Sequence, residues 1–429
     1  MNYQETIDYL YKKLPLFSRL GADAIKADLT NTIRLCEALN NPQNTFKTIH
    51  VAGTNGKGSV SHMLAAILQI AGYKTGLYTS PHLVDFRERI KINGEWCDKD
   101  FVIDFTQRIE PLIEEIEPSF FEITVAMAFD YFRKQNIDIA IIETGLGGRL
   151  DSTNIINPIL SVITNIGLDH TQILGNTVEK IAVEKAGIIK PHTPVVIGEM
   201  LPQTEPIFIQ VAHEKAAPVM IAQHNHYVSN FDSEFHKLSV SVADNKTDNR
   251  ETYELDLPGV YQTKNILTVL ESVHYLQSVD YHISLQQTKE ALRNVKKLTG
   301  LHGRWEQVHQ KPAVILDVAH NADGMKMLAE QIELSSYNEL HIIIGMVKDK
   351  DVSGALQYLP KSASYYFTKP QTPRALSEAD MAQTAAAIGL FGKSFPDVNV
   401  ALNTVLSGAA KDDLILICGS VFLVGEVNV

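Results

Sequence analysis

The chain of 429 residues is 45% hydrophobic and 21% charged, a composition that can fill a large buried core and excludes an intrinsically disordered protein. It holds 38 lysines and arginines against 50 aspartates and glutamates, a net charge of −12 that argues against a general nucleic-acid-binding protein. Any anionic substrate would therefore need a few cations concentrated at one site.

The three cysteines, Cys36, Cys97 and Cys418, lie far apart and form no CxxC pair, so neither a disulfide framework nor a zinc knuckle is expected. The first residues, MNYQETIDYLYKK, lack a basic segment followed by an apolar one, and no apolar run reaches the roughly 20 residues that cross a bilayer. We therefore expect a soluble, cytoplasmic protein with no membrane or nucleic-acid partner. No exposed apolar repeat indicates assembly, so a monomer is expected.

The first half of the chain alternates short strand-like runs with helical patterns. The strand-like runs are KTIHVAG, YKTGLYT, DIAIIE, ILSVITN and PVVIGE, and the helical pattern SVSHMLAAILQIAG separates the first two. This alternation predicts a mostly parallel sheet with helices on its faces. Residues 139–142 are apolar throughout, as in a strand that is covered on both sides.

A glycine-rich turn, VAGTNGKGSV at residues 51–60, lies between the first predicted strand and its helix. In that context backbone N–H groups and a helix N-terminus point at phosphate, Lys57 adds a positive charge and Ser59 offers a hydroxyl to Mg²⁺. The spacing differs from the usual GxxxxGK[ST], because Gly58 separates Lys57 from Ser59. The alternative is a glycine-rich turn without a ligand, and the flanking strand and helix favour nucleotide binding.

Residues 238–257 alternate polar and apolar positions around the sequence DNKTDN, which predicts a small antiparallel hairpin. Within it, residues 245–248 read NKTD, like the guanine-reading motif of GTPases. That motif follows a buried strand in GTPases, whereas here it lies in a half-exposed hairpin. We therefore interpret it as a surface turn.

A second α/β series begins after Thr299, with the strand-like runs AVILDVAHN, ELHIIIGM, SYYFTKP and DLILICGS separated by helical patterns. The stretch KLTGLHGR at residues 297–304 has the glycine content and polarity of a linker. The sequence thus predicts an α/β protein with two domains. Residues 1–298 form a P-loop NTPase-like, mostly parallel sheet domain with the small hairpin, and residues 299–429 form a smaller Rossmann-like α/β domain.

Several motifs, in order along nearly the whole chain, carry a family resemblance. GTNGKGS (53–59), TSPHL (79–83) and ETGLGGRLDSTN (143–154) resemble the folylpolyglutamate synthase and dihydrofolate synthase family of the Mur-ligase superfamily. RERIKING, GLDH, EKAGIIK, HGRWE, DVAHN and GSVFLVGE extend the resemblance. It implies that residues 1–298 are the ATP-binding central domain and residues 299–429 the glutamate-ligase domain.

The resemblance implies an ATP-dependent ligase that adds L-glutamate to reduced folates and also to dihydropteroate. The substrate carboxylate would attack the γ-phosphate of ATP, and the amine of glutamate would then displace phosphate from the acyl phosphate. Since this route needs no protein nucleophile, catalysis would rest on Mg²⁺, positioned cations and orientation. Two alternatives stay open: another Mur-type ligase acting on a cell-wall precursor, and a nucleotide-binding module without chemistry.

Metal ligands are expected where the strands of the sheet end. Glu143 ends the run DIAIIE, and Mg²⁺ prefers carboxylate and other oxygen ligands. The resemblance implies two Mg²⁺ ions, with Ser59, Ser80, Glu143, His170 and a carbamylated Lys185 as ligand positions. On spacing alone, His170 would be a capping or core histidine and Lys185 a helix lysine with its ammonium in water.

The resemblance also assigns the remaining ligand positions. Arg304 would neutralise phosphate charge, and Asp317 would reach ATP from the C-terminal domain. His320 could assist the transfer or brace its loop, and both roles stay open. The predicted catalytic positions are Lys57, Lys185 and His320; the ATP positions are Gly53, Thr54, Asn55, Gly56, Lys57, Gly58, Ser59, Asn265, Arg304 and Asp317; the substrate positions are Phe120, Phe121, Glu122, Ile123, Leu150, Asp151 and Ser152.

The pterin-bearing substrate would stack on Phe120 and Phe121 and meet Asp151 as a hydrogen-bond acceptor. The sequence FFE could equally begin a packed helix. Because Asn265 lies before the predicted boundary and Asp317 after it, we expect the active site to form between the domains and to close on ATP.

Overall fold

The computed structural model describes residues 1–16, 21 and 28–428. Eight strands form its largest sheet: β1 Lys47–Ala52, β2 Thr75–Tyr78, β3 Ile90–Ile92, β4 Glu95–Trp96, β5 Ile139–Glu143, β6 Leu160–Ile163, β7 Val195–Ile197 and β8 Val219–Ile221. Their order is β4-β3-β2-β5-β1-β6-β7-β8, and only the pairs β2–β3 and β3–β4 are antiparallel. The predicted mostly parallel sheet is confirmed.

Helices cover both faces of this sheet. Ile139 and Ile141 pack in the same core as the helix Lys57–Ile70, whereas Ala140 and Ile142 pack in the same core as the helix Phe120–Lys134. This explains why β5 is apolar at every position. Among the described residues before 300, the other α-helices are Tyr3–Lys13, Thr30–Ala38, Lys99–Ile116, Thr171–Leu174, Val178–Ala186, Glu205–Glu214, Ala222–Asn225, Gln262–Ser278, Leu285–Leu292 and Val295–Thr299. The described 3-10 helices in this part are Pro42–Asn44, Phe86–Arg89 and Ser152–Ile155.

A separate antiparallel sheet holds three strands, β9 His226–Ser233, β10 Leu238–Asp244 and β11 Arg250–Leu255. The predicted hairpin consists of β10 and β11, and the NKTD sequence is its exposed turn. The additional strand β9 was not predicted, because most of its side chains are exposed and its sequence HYVSNFDS shows no continuous apolar face.

The C-terminal third forms a six-stranded sheet of β12 Glu306–Gln310, β13 Ala313–Leu316, β14 Leu340–Ile344, β15 Ser364–Phe367, β16 Gly392–Ser394 and β17 Leu414–Cys418. Its order is β12-β13-β17-β14-β15-β16, and only β12–β13 is antiparallel. The second predicted α/β series is therefore confirmed. Its helices are Ala322–Leu334, Val352–Leu356, Glu378–Ala387, Val398–Leu406 and Val421–Gly425.

The predicted linker at residues 297–304 is shorter than expected, because its first three residues belong to the helix Val295–Thr299. The side chain of Lys91 caps this helix, since Nζ donates to the carbonyls of Thr299 at 2.7 Å and Gly300 at 3.1 Å. The two large sheets share no strand. The division into domains after residue 298 stays a prediction.

All three cysteines are buried. Burial raises the pKa of the Cys36 and Cys97 thiols to about 12, and it also raises the pKa of Cys418. In the described ranges, 1–16, 21 and 28–428, no helix combines the length and the apolar character that crossing a membrane requires.

Candidate active site

A cavity of about 1510 Å³ lies between the eight-stranded and the six-stranded sheet. The loops that follow β1, β2, β5 and β6 form one wall, and those that follow β13, β14 and β17 form the other. The carboxyl ends of parallel strands meet at one edge, where α/β proteins gather their ligand-binding residues. Of the predicted site residues, all except Gly53, Ile123 and Lys185 line this cavity.

The glycine-rich loop runs from β1 into the helix Lys57–Ile70. Gly56 has a φ of +82°, and a Cβ there would lie 2.3 Å from Asn265 Oδ1, so the position requires glycine. Lys57 folds back onto the loop, where Nζ donates to the carbonyls of Gly53 at 3.0 Å and Thr54 at 3.1 Å. No side chain caps this helix. Its first backbone N–H groups are therefore available for phosphate.

Lys185 lies behind this loop, in the helix Val178–Ala186. Only 4% of it is exposed, and Nζ donates to the Gly53 carbonyl at 2.8 Å. The alternative of a lysine with its ammonium in water is therefore wrong. Burial, and secondarily the charge of Lys57, lower the pKa of Lys185 to about 7, so about half of this amine is neutral at neutral pH.

Glu143 ends β5 as a buried carboxylate. Its Oε2 accepts the backbone N–H of Ser80 at 3.1 Å, and burial raises its pKa. A Cβ on Gly58 would lie 3.5 Å from Arg304 Nη2 and 3.8 Å from Glu143 Oε1, so the guanidinium and the carboxylate approach the first turn of the same helix. A buried carboxylate beside the predicted phosphate site is the kind of oxygen donor that Mg²⁺ takes, so Glu143 fits a magnesium ion.

His170 belongs to a polar network that joins the two large sheets. Its Nε2 lies 3.1 Å from Lys350 Nζ, and burial lowers its pKa to about 3, so its imidazole is neutral. Asp169 forms a buried ion pair with Lys350 and accepts from Asn321 Nδ2 at 3.1 Å. His320 Nε2 lies 3.3 Å from the same carboxylate oxygen of Asp169. The network therefore brings the loop after β6 against the loops after β13 and β14.

The same network reaches the glycine-rich loop. Asn55 and Asn321 exchange two amide hydrogen bonds, at 3.0 and 3.3 Å. His320 Nδ1 lies 2.9 Å from the Val318 carbonyl, so both of its ring nitrogens face oxygen atoms of the protein. These contacts brace the loop, and a part for His320 in the transfer stays a prediction. Sequence reasoning missed Asp169, although it lies in the quoted GLDH motif.

Asp317 follows β13 and is held by three hydrogen bonds. Its Oδ2 accepts from the Tyr261 hydroxyl at 2.7 Å and the Trp305 N–H at 2.9 Å, and Oδ1 accepts from the Ala319 N–H at 2.9 Å. Burial raises the pKa of its carboxyl. Asp317 thereby joins the six-stranded sheet to Tyr261, directly before the helix that carries Asn265.

Asn265 is tied to the glycine-rich loop through a glutamine. Asn265 Nδ2 donates to Gln262 Oε1 at 2.7 Å, and Gln262 Nε2 donates to Ser59 Oγ at 3.1 Å. The helix Gln262–Ser278 therefore packs its first turn against the predicted phosphate site.

Another part of the cavity wall is aromatic and is formed by Phe120 and Phe121, and Leu150 and Ser152 also line the cavity. Ile123 is fully buried in the core beneath, so the expectation that it meets the substrate is wrong: the first turn of the helix points its side chain inward.

Two acidic residues of the lining are already occupied by protein donors. The Glu122 carboxylate accepts the Ser119 N–H at 2.6 Å in a capping box. Asp151 accepts the N–H groups of Leu146 at 2.8 Å and Thr153 at 3.0 Å, and burial raises its pKa. Both residues line the cavity, and their carboxylates already accept hydrogen bonds that hold the local backbone.

Comparison with known proteins agrees with this geometry. The Mur ligase middle domain family matches residues 51–273, and the Mur ligase, glutamate ligase domain family matches residues 303–421. The dihydrofolate synthase/folylpolyglutamate synthase of Bacillus subtilis is 32% identical, over 99% of this chain and 98% of its own.

Two solved structures are similar over almost their whole length. The Escherichia coli FolC protein in complex with DHPP and ADP has a TM-score of 0.83 and 30% identity, covering 99% of this chain and 96% of its own. A bifunctional folylpolyglutamate synthase/dihydrofolate synthase with Mn, AMPPNP and L-glutamate bound has a TM-score of 0.83 and 29% identity, covering 99% and 97%. The family resemblance of the motifs is confirmed. The chain therefore belongs to the folylpolyglutamate synthase/dihydrofolate synthase family of Mur ligases, which are ATP-dependent acid–amino-acid ligases.

Proposed function

We propose that this protein adds L-glutamate to reduced folates at the expense of ATP, and that it also adds the first glutamate to dihydropteroate. One observation carries the proposal: a single cavity is lined both by the uncapped start of the helix Lys57–Ile70 and by the aromatic rings of Phe120 and Phe121. Glu143 lies between these two parts of the lining. Its carboxylate approaches Gly58, and Gly145, two residues later, packs against the Phe121 ring.

The family resemblance implies a two-step route, which we propose for this chain. A carboxylate oxygen of the acceptor attacks the γ-phosphorus of ATP, the bond to the β,γ-bridging oxygen breaks and ADP leaves. The amine of L-glutamate then attacks the acyl carbon, phosphate leaves and the amine gives up a proton. Lys57 and Arg304 would bind the phosphates and oppose their charge, while Phe120 and Phe121 would stack on the pterin. The relative bound to Mn, AMPPNP and L-glutamate supports ATP and L-glutamate as substrates.

The same proposal includes two Mg²⁺ ions. Ser59, Ser80, Glu143, His170 and a carbamylated Lys185 would hold them, with the carbamylated Lys185 at the second ion. Bound there, the metal would neutralise charge on the transferring phosphoryl group. The neutral amine of Lys185 can take up CO₂, and the carbamate then supplies anionic oxygens in place of a cation. Its burial directly behind the Gly53 carbonyl supports this role.

The experiment that tests the function is an assay of phosphate release. We expect release from ATP to require both L-glutamate and a pteroate acceptor, with dihydropteroate and tetrahydrofolate tested in parallel. A cell-wall ligase would ignore both acceptors, and a nucleotide-binding module would release no phosphate with either.

We expect nucleotide to bring the two predicted domains together. ATP would contact Asn265 on one side and Asp317 on the other, and both residues line the same cavity. The radius of gyration from small-angle X-ray scattering should fall when AMPPCP and Mg²⁺ are added. Identical scattering curves with and without the analogue would contradict closure. We also propose that the protein is a monomer, and the molecular mass obtained from the same scattering data tests this. We further propose that it acts in the cytoplasm.

A further inference from the structure

One cation in the cavity wall has no part in the reaction described so far. Arg89 ends the 3-10 helix Phe86–Arg89 within the RERIKING motif, is only 7% exposed and lines the aromatic part of the cavity wall. Within residues 1–16, 21 and 28–428, no carboxylate forms an ion pair with it. Arg87, two residues earlier, instead pairs with Asp85 at 2.9 Å and does not line the cavity.

Neutral groups hold the Arg89 side chain in place. Nε donates to His82 Nδ1 at 2.7 Å, and the guanidinium carbon lies 5.4 Å from the centre of the Phe120 ring. The Tyr78 hydroxyl also interacts with this guanidinium. Burial and the charge of Arg89 lower the pKa of His82 to about 3, so the imidazole is neutral and Nδ1 acts as an acceptor. The contacts orient Arg89 but leave its charge uncompensated.

A buried charge without a partner is unfavourable, and guanidinium groups are suited to bind carboxylates through two parallel hydrogen bonds. Because Arg89 lines the cavity, an anion that enters the cavity could reach and compensate it. In a chain with a net charge of −12, a lone buried cation of this kind selects for an anionic ligand.

Backbone contacts place the main chain of Arg89 near Glu143. The Thr79 N–H donates to the Arg89 carbonyl at 3.1 Å, and the next N–H, that of Ser80, donates to Glu143 Oε2 at 3.1 Å. The guanidinium faces the Phe120 ring, so an anion at Arg89 would lie beside the aromatic wall, on the segment whose backbone also contacts Glu143.

We propose that Arg89 binds the carboxylate of the acceptor's glutamate moiety that does not react. This inference rests on the proposed function. A folate acceptor carries two carboxylates on its glutamate, and the one that is not activated stays ionised throughout the reaction. Dihydropteroate has a single carboxyl group, which is the one that reacts. Arg89 is thus a specificity residue that strengthens binding of folates and not of dihydropteroate.

A cycle of protein and ligand changes tests this. The ligands are 5-formyltetrahydrofolate, its analogue with the glutamate α-carboxylate replaced by a carboxamide, and dihydropteroate, each titrated by calorimetry with AMPPCP and Mg²⁺ present. In the wild type, the carboxamide should bind about 10- to 100-fold more weakly than the parent folate. Arg89→Met should raise the Kd of the folate by a similar factor and leave the other two ligands within about threefold. Arg89→Lys should recover part of the loss.

Arg87→Met is the matched control, since it removes a guanidinium from the same motif outside the cavity, and it should leave all three Kd values unchanged. The proposal is overturned if Arg89→Met weakens all three ligands equally, or if the wild type binds the carboxamide as tightly as the folate. The comparison of the carboxamide with the parent folate uses only the wild-type protein, so it tests the proposal even if a variant misfolds. If the wild type releases no phosphate with either acceptor, the proposed function fails, while the binding cycle still decides the role of Arg89.

Discussion

Lys185→Ala should lower kcat on the order of 100- to 1,000-fold, with partial recovery when acetate or formate is added. The alanine leaves space behind the Gly53 carbonyl, and a small carboxylate bound there would restore the anionic oxygens of the carbamate. The measurement is kcat at saturating Mg²⁺ with and without the added acid. Lys180→Ala, an exposed position on the same helix, is the control and should be indistinguishable from wild type. Full activity of Lys185→Ala, or no recovery with any small acid, would contradict the carbamate.

The carbamate also predicts a dependence on pH and CO₂. An amine with a pKa of about 7 is about one-tenth neutral at pH 6 and about nine-tenths neutral at pH 8. Because CO₂ reacts only with the neutral amine, activation of CO₂-depleted enzyme should become faster as pH rises through this range at a fixed concentration of dissolved CO₂. A carbamate signal in the ¹³C NMR spectrum after addition of labelled bicarbonate, absent in Lys185→Ala, gives a direct readout.

Glu143→Gln should lower kcat about 1,000-fold without lowering the free energy of unfolding. Burial raises the pKa of this carboxyl, so the folded state holds its proton more tightly than the unfolded state does. Stability contributed by this group therefore falls as pH rises, and the ionised carboxylate is a cost to folding at pH 7. The amide removes that cost and also removes the anionic ligand. At pH 7 we therefore expect kcat to fall, while the free energy of unfolding from chemical denaturation stays the same or rises.

Asp130→Asn provides the contrasting control. Asp130 is also fully buried, but it pairs with Arg133 at 2.5 Å and with Arg108, and it does not line the cavity. Breaking a buried ion-pair cluster should lower the free energy of unfolding by about 3 kcal/mol while leaving kcat unchanged. Equal stability losses in both variants would mean that Glu143 supports the fold and not the chemistry.

Much of the architecture could be predicted because the pattern of apolar and polar residues in a strand reflects which of its faces are buried. β5 is apolar at each position because helices cover both sides of it, and β10 and β11 alternate because one face is exposed. The strands β9 and β12 were missed because both are partly exposed strands at the edges of their sheets. Their pairing depends on neighbours that are distant in sequence, which local patterns do not reveal.

The lining of the cavity was predictable where a motif places several residues in one loop, as in residues 54–59. It was not predictable where contacts depend on the meeting of two sheets. Asp169 and Lys350 form a buried ion pair across 181 positions of sequence, and Arg89 and Arg87 look alike until the structure shows that only Arg87 has a carboxylate partner. The prediction that Ile123 meets the substrate was wrong because residues that are adjacent in sequence face different sides of a helix. Ile123 therefore faces the core, although it follows Phe121 and Glu122 directly.

The burial of Cys36, Cys97 and Cys418 has a practical consequence for observing turnover. Thiolates are the species that react with maleimide dyes, and these thiols are both shielded from solvent and protonated at neutral pH because burial raises their pKa. The native protein should remain essentially unlabelled. A pair of cysteines introduced at exposed positions, one beside each large sheet, would therefore carry donor and acceptor fluorophores without background and report opening and closing one molecule at a time.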